Sequence, residues 1–231
     1  GWKSSLTLPQ ARTLAHNRGA GWEVIDFLTA SALQLLYLIE YASFDSQTTL
    51  GNGVLSVTDD GATNMGVYTG QTDALGNASG SATGQTHYQT GQAANDVSYR
   101  GVEGFFGNIW EWTDGINIKA NRNPWIADHD FASDVFAHPY VDSGLTLCAT
   151  NGYVTDLATD ADNDYGFLAS SVSASNINVK DYYYQATGNR SALRGGYWPH
   201  GTAGGAFYWT LATAASGSAR SLGARLAFVN G

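Results

Sequence analysis

The first candidate for chemistry is a lone carboxylate between two tryptophans. Glu111 lies between Trp110 and Trp112 in a segment whose polarity alternates with period two, which is typical of a β-strand. Burying an unpaired carboxylate costs free energy, so we expect Arg194 or Arg225 to pair with it. A catalytic acid is the alternative, but no second carboxylate or nucleophile is tied to Glu111 by spacing.

An acidic segment is the second candidate. Asp160, Asp162 and Asp164 alternate before Gly166, like the first half of a calcium-binding loop. The glycine falls one place late, and Ser171 stands where such a loop has its bidentate glutamate, so the segment is not an EF-hand. We expect a solvated acidic loop, with structural calcium in a looser oxygen cage as the alternative.

Other metal ligands are sparse. Cys148 is the only cysteine, which excludes an internal disulfide and any cysteine-rich zinc or iron–sulfur site. The histidines show no metal-ligand spacing, and the sequence predicts neither zinc nor any other cofactor. They are His16, His87, His129, His138 and His200.

The charge of the chain is divided unevenly. Its 231 residues hold 11 Lys and Arg against 20 Asp and Glu, a formal net charge of −9. Residues 182–231 contain four arginines and no carboxylate, which leaves −13 for residues 1–181. So few cations argue against binding nucleic acid through its phosphates. The same C-terminal stretch is rich in aromatics set among small residues, a composition typical of recognition surfaces.

The elements that position these residues are two early helices followed by short strands. We expect a first helix from the Thr7-Leu8-Pro9-Gln10 cap to about Asn17–Gly21, an extended segment over 22–27, and a second helix over 30–41. Thr29 or Ser31 would cap this second helix, and its all-round apolar character predicts that it is enclosed in the core. The apolar stretch of this second helix is about half as long as a membrane-spanning helix, so no membrane insertion is expected.

The rest of the chain reads as strands and loops of one domain covering residues 1–231. Residues 50–95 have the composition of turns and short irregular strands. Residues 105–113 and 223–229 alternate as strands, and residues 193–198 form a strand broken by a glycine pair. The fold class predicted is α+β.

Three hexapeptides give a more specific indication. They are Gly-Asn-Ile-Trp-Glu-Trp (107–112), Leu-Arg-Gly-Gly-Tyr-Trp (193–198) and Gly-Ala-Arg-Leu-Ala-Phe (223–228). The three hexapeptides follow one another in this order after an early Ala-Leu-Gln-Leu-Leu-Tyr-Leu-Ile-Glu-Tyr helix. With this arrangement the chain resembles the C-type lectin fold in its formylglycine-generating-enzyme branch. The resemblance implies two N-terminal helices, short antiparallel strands and long irregular loops.

The enzymes of that branch place a metal-binding cysteine pair shortly after the Arg-Gly-Gly turn. Residues 197–206 contain no cysteine, and Cys148 is far upstream. A metal-dependent oxidase is therefore the less favoured alternative, and we expect no catalysis. A fixed-specificity carbohydrate-binding lectin is a second alternative, although Asn123-Pro124 departs from the triplets with which many lectins bind sugar through calcium.

The segment from about 194 to 228 resembles the variable region of proteins that are diversified by a retroelement, in which adenine-directed mutagenesis rewrites chosen codons. The resemblance divides this segment, together with residues 110–112, into two sets. The scaffold set includes Trp110, Glu111, Trp112, Arg194, Gly195, Gly196, Trp198, Gly201, Gly205, Phe207, Leu211, Gly223, Ala224, Arg225 and Leu226. The solvent-facing, ligand-binding set is Tyr197, Pro199, His200, Thr202, Ala203, Tyr208, Trp209, Thr210, Ala212 and Thr213, with Gly217, Ala219, Arg220 and Ser221 as a less certain group.

The resemblance also implies a biological setting. We expect a receptor-binding protein of a phage or prophage, on a virion or extracellular surface, whose attachment segment lies outside this chain. The partner would be an unidentified macromolecule, a protein or glycan of the host-cell surface.

Overall fold

The computed structural model describes residues 4–58, 61, 66–87, 90–176 and 178–229. This part of the chain is a mixed α+β protein in which short strands predominate. Its helices are α1 (Leu8–His16), α2 (Phe27–Tyr41) and α3 (Ser46–Leu50). Its strands are β1 (Trp22–Val24), β2 (Gly80–Ser81), β3 (Val97–Tyr99), β4 (Val102–Glu103), β5 (Trp110–Ile118), β6 (Pro124–Ile126), β7 (Val141–Asp142), β8 (Gly152–Leu157), β9 (Ala169–Ser173), β10 (Tyr182–Gln185), β11 (Arg190–Arg194), β12 (Trp209–Thr213), β13 (Leu222–Ala224) and β14 (Leu226–Phe228).

The first helix begins as the sequence predicts. Thr7 caps α1: its hydroxyl accepts from the Gln10 backbone N–H, while the Gln10 side chain accepts from the Thr7 N–H. Pro9 lies in the first turn, where its missing N–H costs nothing. Arg12 donates to the buried Asp114 carboxylate at 2.5 and 2.7 Å, which fixes α1 against β5.

The second helix differs from the prediction at its start and on one side. It begins at Phe27, capped by Asp26, whose carboxylate accepts from the Thr29 backbone N–H at 2.9 Å. The expected caps, Thr29 and Ser31, both lie inside the helix. The prediction that the core encloses this helix was also wrong, because its outer side faces solvent. The exposed fractions there are 40% for Leu35, 54% for Leu36 and 72% for Ile39.

A nine-stranded sheet organises the molecule. Its strand order is β7-β6-β5-β11-β12-β10-β8-β9, with β13 added parallel to the start of β5. The predicted strand over 105–113 starts later, at Trp110, because Gly107 and Asn108 adopt positive φ angles of 84° and 63°. The predicted strand over 223–229 is split into β13 and β14, and β14 pairs with β1 in a separate two-stranded sheet.

The two faces of the large sheet have different covers. Trp209 and Tyr183 are register partners on one face and belong to the main core, together with Phe27 of α2. On the opposite face, Trp112 and Leu193 pack against α1 in a second core. The sheet therefore has a core on each face, and α1 covers the second one.

Residues 50–95 are mostly irregular where the structure describes them, as expected. They contribute β2 and a short 3₁₀ turn at Asp73–Leu75, and Val54 bridges to Gly107. Among the described residues no helix is long and apolar enough to cross a membrane.

Candidate functional site

Glu111 lies at the centre of a buried charge cluster. Arg194 Nη2 donates to Glu111 Oε2 at 2.6 Å, and Arg225 Nη2 donates to Glu111 Oε1 at 2.8 Å. Arg225 also donates to the carbonyls of Glu103 and Gly104. The predicted pairing is confirmed, with both arginines rather than one. The cluster joins β5, β11 and the residue between β13 and β14.

A layer of apolar side chains lies beneath the segment that follows Gly196. Trp198, Phe207 and Leu211 are each at most 1% exposed, as predicted for scaffold positions. Trp198 belongs to a small core with Val54 and Ile109, and the other two belong to the main core. Side chains at these three positions are part of the folded interior.

We call residues 197–207 the recognition loop. Scaffold side chains outside it bind its backbone. Gln47 Nε2 donates to the carbonyls of Gly201 (3.0 Å) and Gly204 (2.7 Å). Farther along, Ala206 N donates to Ser46 Oγ at 2.9 Å, Gln34 Nε2 donates to the Ala206 carbonyl at 2.6 Å, and Phe207 N donates to Asp181 Oδ2 at 2.7 Å. These five bonds involve only backbone atoms of the loop.

Glycines allow the loop to turn close to the scaffold. Gly195 and Gly196 have φ angles of 85° and 81°, which side-chain-bearing residues rarely adopt. A Cβ on Gly205 would lie 2.3 Å from the Asp181 carboxylate. The loop conformation therefore requires glycine at these positions.

The buried carboxylate beneath the loop is strongly perturbed. Burial raises the pKa of Asp181 to about 8, and the nearby charge of Asp45 adds to the rise, while the bond from Phe207 N opposes it. Asp181 and Asp45 line a cleft of about 280 Å³ beside Gln47 and Thr202.

Most of the predicted ligand-binding set reaches solvent. Pro199, Thr202, Ala212 and Ala219 are exposed. Other members are partly buried: Tyr197, His200, Ala203, Thr213, Gly217 and Arg220.

For four residues the prediction of a solvent-facing side chain was wrong. Tyr208 and Trp209 are fully buried, Thr210 is 5% exposed and Ser221 is 6% exposed. The reason is their position in the fold: Trp209 and Thr210 lie on the inner strand β12, and Tyr208 directly precedes it beneath the His200 ring. Ser221 directly precedes β13, and its carbonyl accepts from Trp110 N at 2.8 Å. Trp209 packs on Phe27, with ring centroids 5.6 Å apart.

A row of ring side chains crosses this part of the surface. We call it the aromatic strip: Trp110, Tyr197, His200, Tyr184, Tyr182 and Tyr153, all partly exposed. Successive ring centroids are 4.0, 4.5, 6.4, 4.6 and 5.0 Å apart in that order. Tyr208 lies under the middle of the strip, 4.8 Å from His200.

The centre of the strip is electrically neutral near pH 7. Burial alone lowers the pKa of His200 to about 4, so the ring is uncharged. Burial also raises the pKa of Tyr184, and the further contributions come from Tyr182, Tyr153 and Tyr197. The His200 ring and the Tyr184 phenol are therefore both uncharged at neutral pH.

Several polar atoms beneath the strip have no hydrogen-bond partner among the described residues. Trp110 Nε1, His200 Nδ1 and the Tyr208 hydroxyl are all buried in this state. Burial raises the pKa of Tyr208 far above its usual value, and the nearby Trp110 and Thr210 side chains oppose the rise only in part. Buried unpaired groups of this kind are uncommon in folded proteins.

The acidic segment folds locally. Asp160 Oδ1 accepts from the backbone N–H groups of Asp162 and Asn163 and from the Asn163 side chain, and these bonds lower its pKa. Within the described residues, no three His, Cys, Asp or Glu side chains converge as a metal-binding group. Structural calcium at this loop stays the untested alternative to a solvated acidic loop.

The scaffold side chains that bind the loop were missed by the sequence reasoning. Gln34 offered a signal, since its amide interrupts the apolar run 30–39. It is fully buried and bonded to the loop. Gln47, Ser46 and Asp181 had no comparable signal, because their roles depend on which distant segments meet.

No protein-family model matches this chain, and no curated protein sequence shows significant similarity to it.

Proposed function

We propose that this protein is a non-catalytic recognition protein with a C-type lectin-like fold. Its recognition loop and the adjoining exposed positions would form a ligand-binding surface diversified by a retroelement. The partner would be a protein or glycan of a host-cell surface, as for a phage or prophage receptor-binding protein.

The observation that supports this proposal is the way the loop is held. Its bonds to Gln47, Ser46, Gln34 and Asp181 engage backbone atoms, which every residue type supplies. Its anchors, Trp198, Phe207 and Leu211, are buried and separate from the exposed positions. Such a loop keeps its conformation while its exposed side chains change, as a diversified surface requires.

The structure also revises the extent of the proposed surface. Tyr208, Trp209, Thr210 and Ser221 are buried and leave the ligand-binding set. Trp209 in particular fills the main core, so replacement by most residues would create a cavity or bury a polar group. The diversified positions are then Tyr197, Pro199, His200, Thr202, Ala203, Ala212, Thr213 and Ala219, with Arg220 and Gly217 at the margin.

The oxidase alternative has little support. It requires a thiolate pair, and Cys148 is the only cysteine of the sequence. Its thiol lies beside the hydroxyl of Thr150 at 3.3 Å, remote in sequence from the loop. The proposal therefore contains no reaction step.

A display library tests the structural part of the proposal. One library randomises Pro199, Thr202, Ala212 and Ala219, and a matched library randomises four buried positions, Trp198, Phe207, Trp209 and Leu211. We expect most members of the first library, and few of the second, to resist protease. Equal loss of folded protein in both libraries would contradict the proposal.

The genetic part is tested by sequencing the surrounding DNA. We expect a near-copy of the DNA for residues 194–228, differing almost only at adenines, beside a reverse transcriptase gene. Absence of both from the complete source genome would overturn diversification by a retroelement, while leaving a fixed recognition surface to be judged by the library.

A further inference from the structure

The cleft that holds Asp45 and Asp181 lies beside the recognition loop. Its volume is about 280 Å³, and the described residues that line it all carry polar or charged side chains, among them Asn52, Lys180 and Thr202. Pockets that enclose a whole small molecule measure about 300–1,000 Å³ and are mostly apolar. The size and lining of this cleft suit one polar group of a larger ligand instead.

Asp181 is an acceptor that the fold leaves half used. The residue is 1% exposed and lines the cleft. Phe207 N donates to its Oδ2 at 2.7 Å, whereas no donor among the described residues bonds to its Oδ1. Buried polar atoms ordinarily have hydrogen-bond partners. The Oδ1 atom of a buried side chain is therefore available to a ligand in the cleft.

Two other titratable side chains of the described residues line the cleft. Asp45 caps α3, where its Oδ1 accepts from Thr48 N at 3.0 Å, and Lys180 Nζ donates to the Asn176 carbonyl at 2.9 Å. Within the described part of the chain, no ion pair joins Lys180 to a carboxylate. With Asp45 and Asp181 both ionised, two negative charges and one positive charge leave −1 in the cleft. One monovalent cation would balance it.

A guanidinium group fits this arrangement better than other cations. Its five N–H donors are fixed in one plane, so a single group can donate to two carboxylates and to neighbouring amide oxygens. It is also more weakly hydrated than an ammonium group, which lowers the cost of leaving water. Calcium takes six to eight oxygen ligands, and no three His, Cys, Asp or Glu side chains converge as a metal-binding group in the described residues.

We propose that this cleft binds one guanidinium group, an arginine side chain of a protein partner, through Asp181 and Asp45. The inference rests on the proposed recognition function and names a chemical feature of the partner. Both carboxylates lie outside residues 194–228, so the subsite would stay constant while Thr202, which also lines it, varies. The charge of −13 on residues 1–181 would attract a basic partner from a distance.

Binding of the cation displaces a proton from the cleft. Burial raises the pKa of Asp181 to about 8, so near pH 7 the carboxyl group is mostly protonated in the free protein. A guanidinium group keeps its charge throughout this range and pairs with the carboxylate form, so the proton leaves to solvent. Affinity should therefore rise about tenfold between pH 7 and pH 9, because the proton no longer competes.

Nuclear magnetic resonance of the whole chain tests the proposal, with the backbone amide of Phe207 as the reporter, since it donates to Asp181. The probes are capped tripeptides, Gly-Arg-Gly, Gly-Lys-Gly and Gly-citrulline-Gly, and calcium chloride, each titrated to millimolar concentration. We expect a saturable shift with the arginine peptide, a weaker response to lysine and none to citrulline, which has a similar shape without the charge. No shift with arginine, equal binding of citrulline, tighter binding of lysine, or binding of calcium alone would overturn the proposal.

Variants locate the site. Asp181→Asn keeps an acceptor for Phe207 N without the charge, and Asp45→Asn can still cap α3. Each should weaken binding of the arginine peptide at pH 9 at least tenfold, the scale of one lost charge-assisted hydrogen bond. Asp181→Asn should also remove the dependence of affinity on pH. Asp130→Asn is the matched control, because it removes one charge from an exposed position outside the cleft, and it should bind like the unaltered protein.

Thermal unfolding of each variant separates folding from binding. If Asp181→Asn does not fold, Asp45→Asn carries the test alone. Unaltered affinity in a folded variant of either carboxylate, or equal affinity of the unaltered protein at pH 7 and pH 9, would overturn the assignment. The protease-resistance libraries do not depend on an arginine ligand, so failure here is distinguishable from failure of the proposed recognition function.

Discussion

At the scale of single residues, Glu111 is the clearest case of a position whose role is structural. One buried carboxylate pairs with two guanidinium groups, and burial lowers the pKa of Arg194 despite that partner. Losing the negative charge would leave two cations facing each other in the interior. The cost of such a loss is known to exceed the net value of the ion pair itself.

Glu111→Gln should therefore lower the free energy of unfolding by about 3–5 kcal/mol. Urea unfolding followed by tryptophan fluorescence measures the change. Glu40→Gln is the matched control, because Glu40 pairs with the exposed Arg100 on the surface, and we expect no measurable effect. Unchanged stability combined with lost ligand binding would instead indicate a direct role for Glu111 at the site.

Asp181 supplies a second residue-scale prediction, in which pH is the variable. Its pKa of about 8 in the folded protein lies above the usual value of about 4 in an unfolded chain. Below pH 4 both states are protonated, so the stabilisation is complete there. As the pH rises from 4 to 8 only the unfolded state ionises, and stability is lost.

Asp181→Asn cannot ionise, and its amide oxygen can still accept from Phe207 N. Relative to the unaltered protein, the variant should become progressively more stable as the pH rises from 4.5 to 8. Urea unfolding at both values measures the difference. A constant difference across this range would contradict a raised pKa for Asp181.

At the scale of elements, the recognition loop depends on the short helix α3. Gln47 binds two carbonyls that bracket a 3₁₀ turn at Gly201–Ala203. Ser46, one residue earlier, accepts from the backbone farther along the loop. A five-residue helix therefore sets the position of a surface more than 150 residues away in sequence.

Gln47→Ala should loosen that turn without unfolding the protein. Two loop carbonyls lose their side-chain donor, at a cost of about 1–3 kcal/mol. We expect faster hydrogen exchange at residues 201–206, measured by mass spectrometry. Thr48→Ala, at the exposed neighbouring residue of α3, is the control and should leave exchange at the loop unchanged.

Elements with local signals could be predicted from the sequence. The α1 cap depends on residues three apart, and the alternation around Trp110 placed both tryptophans on one side of β5. The start of α2 was missed because Asp26 precedes the apolar run by several residues. The burial of Tyr208 and Trp209 was missed because it depends on rings from other segments, Tyr184 and His200 beside Tyr208 and Phe27 against Trp209, which no local pattern records.

At the scale of the whole molecule, charge separates the scaffold from its C-terminal part. The last fifty residues carry four arginines, of which Arg194 and Arg225 are used internally by Glu111. Two of the four arginines therefore hold strands together inside the molecule, and the other two, Arg190 and Arg220, are partly exposed.

The whole chain should accordingly fail to bind duplex DNA. With a net charge of −9 and few exposed cations, it lacks the row of phosphate contacts that such binding requires. Fluorescence anisotropy with a labelled duplex at about 0.15 M salt, where surface charges are screened beyond about 8 Å, checks this. Binding that weakens steeply with added salt would contradict the expectation.

The buried layer beneath the recognition loop has a consequence for the codons that adenine-directed mutagenesis can change. Tryptophan (TGG), phenylalanine (TTT or TTC), leucine (CTT, CTC or CTG) and glycine (GGT, GGC or GGG) all have codons without adenine. Where these codons are used, a process that rewrites only adenines would leave Trp198, Phe207, Leu211 and Gly205 unchanged. These are the positions whose residue types the folded interior requires. Under the proposed function, the genetic code itself would protect the fold while the surface is rewritten.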